Sequence, residues 1–139
     1  MQSEECRINV EMLCISFNEG VFYMDNIVEN KSFEFAVRIV NLRKFLIKEK
    51  NEYLLSKQLM RSGTSIGANV AEAQRAQSKA DFVSKINIAL KEANETNYWL
   101  KLLYRTDYMD EKQFESMIND LDQIISILVS ICNTSKQDN

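Results

Sequence analysis

The sequence predicts an all-α protein, an antiparallel up-down-up-down four-helix bundle. Three observations carry that expectation. The 139 residues include no proline and only three glycines, so the turn chemistry that sheets and hairpins need is almost absent. Four long stretches place apolar residues on the i, i+4, i+7 rhythm of one helix face. The connections between them are short, which makes each helix the antiparallel neighbour of the next. At 45% hydrophobic and 27% charged residues, the composition is that of one globular domain.

Taken in order, residues 1–30 read as a flexible or irregular leader, 31–132 as the bundle and 133–139 as a frayed tail. Residues 1–23 show no clean period and include a break at Gly20, while Met24 opens a run that reads like a natural protein start. A first helix is expected from Ser32 to Lys50 with Asn30 or Ser32 as its cap. Phe35, Ile39, Leu42 and Leu46 form its stripe, and Lys48 and Lys50 suit the negative end of its dipole. After a turn at Asn51, a second helix from Glu52 to Ala76 is the centre around which the others pack.

That second helix carries three lines. Leu55, Leu59, Ile66, Val70 and Ala73, with Ser62 among them, face the core. Gly63, Gly67 and Ala71 recur every four residues. Glycine inside a helix costs about 1 kcal/mol relative to alanine, and the simplest compensation is a second helix backbone approaching closely there. Ser65, Asn69 and Glu72 make the third line, which with Asn97 is expected to form a polar seam fixing helix register or a subunit contact.

A third helix starts at Ser78, where Ser78 and Asp81 have capping-box spacing, and runs to about Arg105. Its core stripe is Phe82, Ile86, Ala89, Leu90, Ala93, Leu100 and Tyr104, with Asn97 an uncomfortable polar member. Residues Thr106 to Met109 turn, Asp110 to Gln113 cap a fourth helix, and Phe114, Met117, Ile118, Leu121, Ile124, Ile125, Leu128 and Ile131 line it.

Charge is unevenly spread. The net value is −3, but residues 31–105 balance to +7 and each end to −5, so the overall sign says little about partners. Cys6, Cys14 and Cys132 are scattered, with no CxxC pair and no signal-peptide layout, which predicts reduced thiols in a cytoplasmic protein. No apolar run approaches the ~20 residues of a membrane span.

The run Ser62-Gly63-Thr64-Ser65-Ile66-Gly67-Ala68-Asn69-Val70-Ala71-Glu72-Ala73, followed by Gln77-Ser78 and Asp81-Phe82, resembles a bacterial family. This is the four helix bundle protein family, also called the 23S rRNA intervening-sequence protein family, whose motif reads roughly R-x-x-x-S-I-x-x-N-I-A-E-G. Lys91 to Thr96 and Tyr98-Trp99-Leu100 add further matches, and the resemblance spans about Asn26 to Leu128. Ala73 stands where the family has glycine, and Gln74-Arg75 where it has Gly-Arg, so the second helix should run straighter here. The resemblance implies a bundle that assembles as a homopentameric ring. A relative similar in fold, the accessory protein of diversity-generating retroelements, binds nucleic acid and a reverse transcriptase. No catalytic residues carry over.

Candidate sites follow from both lines of reasoning. The chain has no histidine, which removes the commonest general base and metal ligand and rules out a ferritin-type di-iron centre. No cofactor or metal is expected, and Glu92 with Glu95 at i, i+3 read as an ion-pairing couple rather than as acid–base catalysts. Ile88, Glu92, Glu95, Trp99 and Leu102 lie away from the core stripe and are assigned to an oligomer interface, with Trp99 as its anchor. Arg38, Arg43, Lys44, Lys48, Lys57 and Arg61 gather near one end of the first two helices and could contact nucleic acid. The expected function is a non-catalytic homo-oligomeric scaffold with an unidentified protein partner. The alternative is a nucleic-acid-binding accessory factor.

Overall fold

Four amphipathic helices can bury their apolar stripes only against one another, and in this computed structural model they form a four-helix bundle. The structure describes residues 17–137. The helices are α1 (Phe17–Lys50), α2 (Leu54–Ala73), α3 (Lys79–Arg105) and α4 (Glu111–Gln137). α1 packs on α2, α2 on α3 and α3 on α4, and α4 closes back on α1. Residue numbers rise on one helix as they fall on its neighbour: Arg61 meets Glu95 and Glu72 meets Lys85 across α2 and α3. Likewise Lys31 meets Gln123 and Arg38 meets Ser116 across α1 and α4. Neighbouring helices therefore run antiparallel.

The centre is filled from all four helices. Phe35, Ile39, Leu46, Leu59, Ile66, Ile86, Leu100, Leu103, Leu121, Ile124 and Leu128 are almost wholly inaccessible. Full burial of each such side chain contributes about 1.5–3 kcal/mol.

Local chemistry sets the ends. Asn51 adopts a left-handed conformation (φ 52°), stopping α1. The Glu52 carboxylate then accepts from the backbone N–H groups of Leu54, Leu55 and Ser56 at 3.1, 2.8 and 2.7 Å. It satisfies three of the amides that open α2 and places negative charge at the positive end of that helix. Ser78 accepts from Asp81 N–H at 3.0 Å to start α3. Asp107 (φ 70°) ends it in a Schellman pair, with Tyr108 N–H donating to Leu103 O and Asp107 N–H to Tyr104 O. Asp110 and Gln113 cap α4 reciprocally, at 2.7 and 3.1 Å.

Several expectations are corrected. α1 does not begin at Ser32, because residues 17–30 are already helical through Gly20; residues 1–16 of the leader reading lie outside the described residues. Ser32 is not a cap: it is fully buried, and its hydroxyl donates to Glu29 O at 3.2 Å. α2 stops at Ala73, three residues before the expected end, so the Ala73 and Gln74-Arg75 departures fall at its terminus instead of straightening its middle. α4 continues past Asn133 to Gln137, and Ser135 is buried. On α3, Thr96 and Leu103 are fully buried, while Asn97 and Tyr104 sit at the edge of the core.

Candidate interaction surface

The side-chain-poor line on α2 meets α1. A Cβ added at Gly63 would lie 2.8 Å from Ile39 Cγ1, and one at Gly67 would lie 3.2 Å from Ser32 O. These distances leave no room for a side chain at Gly63 and little at Gly67. Ala71, next on the line, is exposed and borders a groove of about 430 Å³ between α1 and α2, together with Phe33, Ala36 and Ala68.

The face of α2 toward α3 is polar, but its polar residues do not join into one seam. Ser65 donates to Arg61 O at 2.6 Å and Asn69 to Ser65 O at 2.8 Å, both within their own helix. Glu72 pairs with Lys85 across to α3 at 3.0 Å. That hydrogen bond, reinforced by the carboxylate charge, holds the Lys85 ammonium above the ordinary lysine range. Asn97 is hydrogen-bonded to none of the three, and its Oδ1 has no hydrogen-bond partner among the described residues. The buried polar contact is instead Ser62 with Thr96, hydroxyl to hydroxyl at 3.0 Å, both fully buried. Thr96 also reaches Glu92 O at 2.7 Å, so each hydroxyl has an acceptor for its single proton.

Beside this contact Arg61 faces the two carboxylates of α3. It is hydrogen-bonded to Glu95 and lies 3.7 Å from Glu92. Glu95 also accepts from Trp99 Nε1 at 3.2 Å, and the indole packs edge-on to Tyr98 with ring centroids 5.0 Å apart. Trp99 is partly covered by its own bundle. Glu95 and Trp99 thus satisfy their polar groups within the chain, whereas Glu92 Oε2 is buried without a hydrogen bond among the described residues. What remains open on α3 is the outward face, where Tyr98 is 61% and Ile88 37% exposed.

The basic residues divide. Arg38 is tied to Asp120 and Ser116 on α4, and Arg61 to Glu95. Arg43 leans on Met60 Sδ at 3.5 Å, and its Nε is buried without a hydrogen bond. Lys44, Lys48 and Lys57 are exposed. Among the described residues no His, Cys, Asp and Glu gather in threes that could hold a metal, and no helix is long and apolar enough to cross a membrane.

The family model for the 23S rRNA-intervening sequence protein matches residues 24–130. The chain belongs to that family. It is similar, at 61% identity and a TM-score of 0.78, to a crystal structure from Bacteroides thetaiotaomicron VPI-5482, a protein of unknown function from the S23 ribosomal protein family. The likeness covers 79% of this chain and 98% of that one. No curated protein matches.

Within the family's matched span, sequence reasoning missed three structural contacts. Thr96 was passed over because a hydroxyl residue does not register in an apolar periodicity, although it sits seven residues from buried Ala89 and four from Leu100. The Glu52 cap was missed because it acts from the residue before the cap position. The Arg61–Glu92–Glu95 cluster has a signal only across two helices, visible once their antiparallel register is known.

Proposed function

We propose that this chain is a non-catalytic homo-oligomeric scaffold, a pentameric ring of four-helix bundles presenting a surface to a protein partner. The pentameric number comes from the family resemblance. The observation that carries the oligomeric reading is the outward face of α3, which leaves Tyr98 exposed beside the partly covered Trp99 and Ile88 exposed about three turns earlier. Exposed aromatic and aliphatic side chains along one helix face are anchors for association. In this reading Ile88, Trp99 and Leu102 supply apolar contact, and Glu92 and Glu95 with Arg61 form its polar rim. Light scattering at micromolar concentration tests it: the expected mass is about five times the 16.2 kDa chain, and Trp99→Ala should weaken assembly. A stable monomer overturns it.

A second reading, a nucleic-acid-binding factor acting with a reverse transcriptase or on ribosomal RNA, is favoured by one observation. Lys44, Lys48 and Lys57 are exposed near the α1–α2 corner, where Tyr53 is 53% exposed and could stack on a base. RNA and DNA binding measured as salt rises tests it. Steep loss with salt, abolished by Lys44→Glu with Lys48→Glu, supports this reading, and no binding at low salt removes it.

A further inference from the structure

An oligomer of more than two copies needs a second face as well as the first. We propose that the outer face of α3 in one copy docks on the outer face of α1 in the next, a contact between two different surfaces; the proposal rests on the oligomeric reading above. α1 and α3 are not neighbours in the cycle of packed helices but stand on its diagonal, so these faces point in opposite directions.

The faces match in kind. On α1, Phe33 is 66% and Val37 41% exposed, one helical turn apart. On α3, Tyr98 and Ile88 are the corresponding aromatic and β-branched residues. The exposed apolar pair rises ~6 Å along α1 and ~15 Å along α3, so Phe33 and Val37 cover part of the α3 face and Glu29 and Glu34 extend the contact along it. Each face is indented. The α1 face opens into the groove of about 430 Å³ shared with α2. The α3 face carries a concavity of about 660 Å³ floored by Ala80, Val83 and Ile88.

Charge decides which pairing forms. Glu29 and Glu34 border the α1 groove, whereas Lys79 and Lys91 border the α3 concavity. α1 against α1 sets carboxylate on carboxylate, and α3 against α3 sets ammonium on ammonium. Only α1 against α3 brings opposite signs together while covering the exposed Phe33 and Tyr98. Such a contact uses two surfaces, so it cannot close as a two-fold dimer; it propagates into a ring or a filament.

The test uses the full chain with Phe33→Ser, Glu34→Lys, Lys91→Glu and the double variant Glu34→Lys/Lys91→Glu. Assembly is read by sedimentation over a concentration series, with circular dichroism reporting the fold. All three positions are solvent-facing, so the helical signal should stay at wild type. Phe33→Ser should raise the dissociation constant about thirtyfold or more, the scale of a lost aromatic anchor. Each charge reversal should raise it about tenfold. The double variant should regain the wild-type mass, because the pair is restored with its signs exchanged. A monomeric wild type would remove the oligomeric reading itself. A wild-type oligomer indifferent to Phe33→Ser and Glu34→Lys while Lys91→Glu dissociates it would show that something other than α1 of a second copy meets α3, and the pairing would fall.

Discussion

Gly63→Ala tests whether α1 and α2 approach as closely as the geometry requires. In an isolated helix the substitution stabilises by about 1 kcal/mol. Here the new methyl would sit 2.8 Å from Ile39 Cγ1 and 3.0 Å from both its Cγ2 and Cδ1. Cγ1 and Cγ2 branch from the same carbon, so a χ1 rotation replaces one with the other and does not clear the clash. Ile39 is fully buried, which leaves displacement of the helices as the remaining relief. Overpacking of this kind costs about 1–3 kcal/mol. The net expectation is a loss of up to about 2 kcal/mol, seen as a fall of up to about 6 °C in Tm. Ile39→Ala removes all three clashing atoms and costs about 2–5 kcal/mol on its own. In that background Gly63→Ala should become neutral or stabilising, giving a favourable coupling of about 2 kcal/mol in the double-mutant cycle. Urea unfolding of the four chains measures it. A Gly63→Ala chain more stable than wild type by about 1 kcal/mol would refute the close-approach argument, because helix propensity alone would then explain the position.

Other outcomes follow from contacts already described. Glu52→Ala strips the acceptor from three amides at the start of α2 and should cost about 1–2 kcal/mol in denaturant unfolding, with Glu52→Gln intermediate. Thr96→Val deletes one partner of the buried hydroxyl pair and should cost about 1 kcal/mol, whereas Ser62→Ala with Thr96→Val together should cost less than the two single changes summed. Lys85, whose pKa is raised by Glu72 in the folded state, holds its proton more tightly folded than unfolded. Its contribution to stability is therefore complete below the ordinary lysine value of 10.5 and is lost as pH rises through the higher folded value. Lys85→Met should lower stability slightly near neutrality, where that contribution is complete, and flatten the profile as pH rises above that value.

How far the sequence could be read depended on whether a feature is local. The buried positions Phe35, Ile39, Leu46, Leu59, Ile66, Leu121 and Leu128 were legible because each repeats at helical spacing among apolar neighbours. The caps at Ser78 and Asp110 were legible because capping chemistry spans only three residues. Ser32 was misread for the same reason: serine ahead of an apolar stripe looks like a helix start. Yet it lies three residues before Phe35 and seven before Ile39, on the stripe itself, and its smallness lets α2 approach at Gly67. The polar seam failed on a different ground. Ser65 and Asn69 bond to carbonyls four residues back on their own helix, an option that sequence spacing cannot separate from a cross-helix bond. The six basic residues looked equivalent in sequence, but the acidic partners of Arg38 and Arg61 stand on other helices, far away along the chain.

That last division of the charges ties the two functional readings together. Arg38 and Arg61 pair with Asp120 and Glu95 of their own chain at the bundle surface, and Arg43 has its Nε buried. A single copy is left with Lys44, Lys48 and Lys57 from the original set. Neutralising three phosphates gives a slope of only about −2.7 in log affinity against log salt on duplex DNA, the signature of weak, non-specific binding. Several copies in a ring would repeat the lysine-bearing corner of α1 and α2 around an axis, and the slope would steepen with the number of corners that reach one nucleic acid. Phe33 and Lys91 lie outside the lysine set, so a chain dissociated by Phe33→Ser keeps every one of those three charges. If nucleic-acid binding survives that substitution with its salt slope intact, the charge of one bundle suffices and assembly serves another purpose. If the slope falls toward the single-copy value, the ring is the binding unit, and scaffold and accessory factor are one activity.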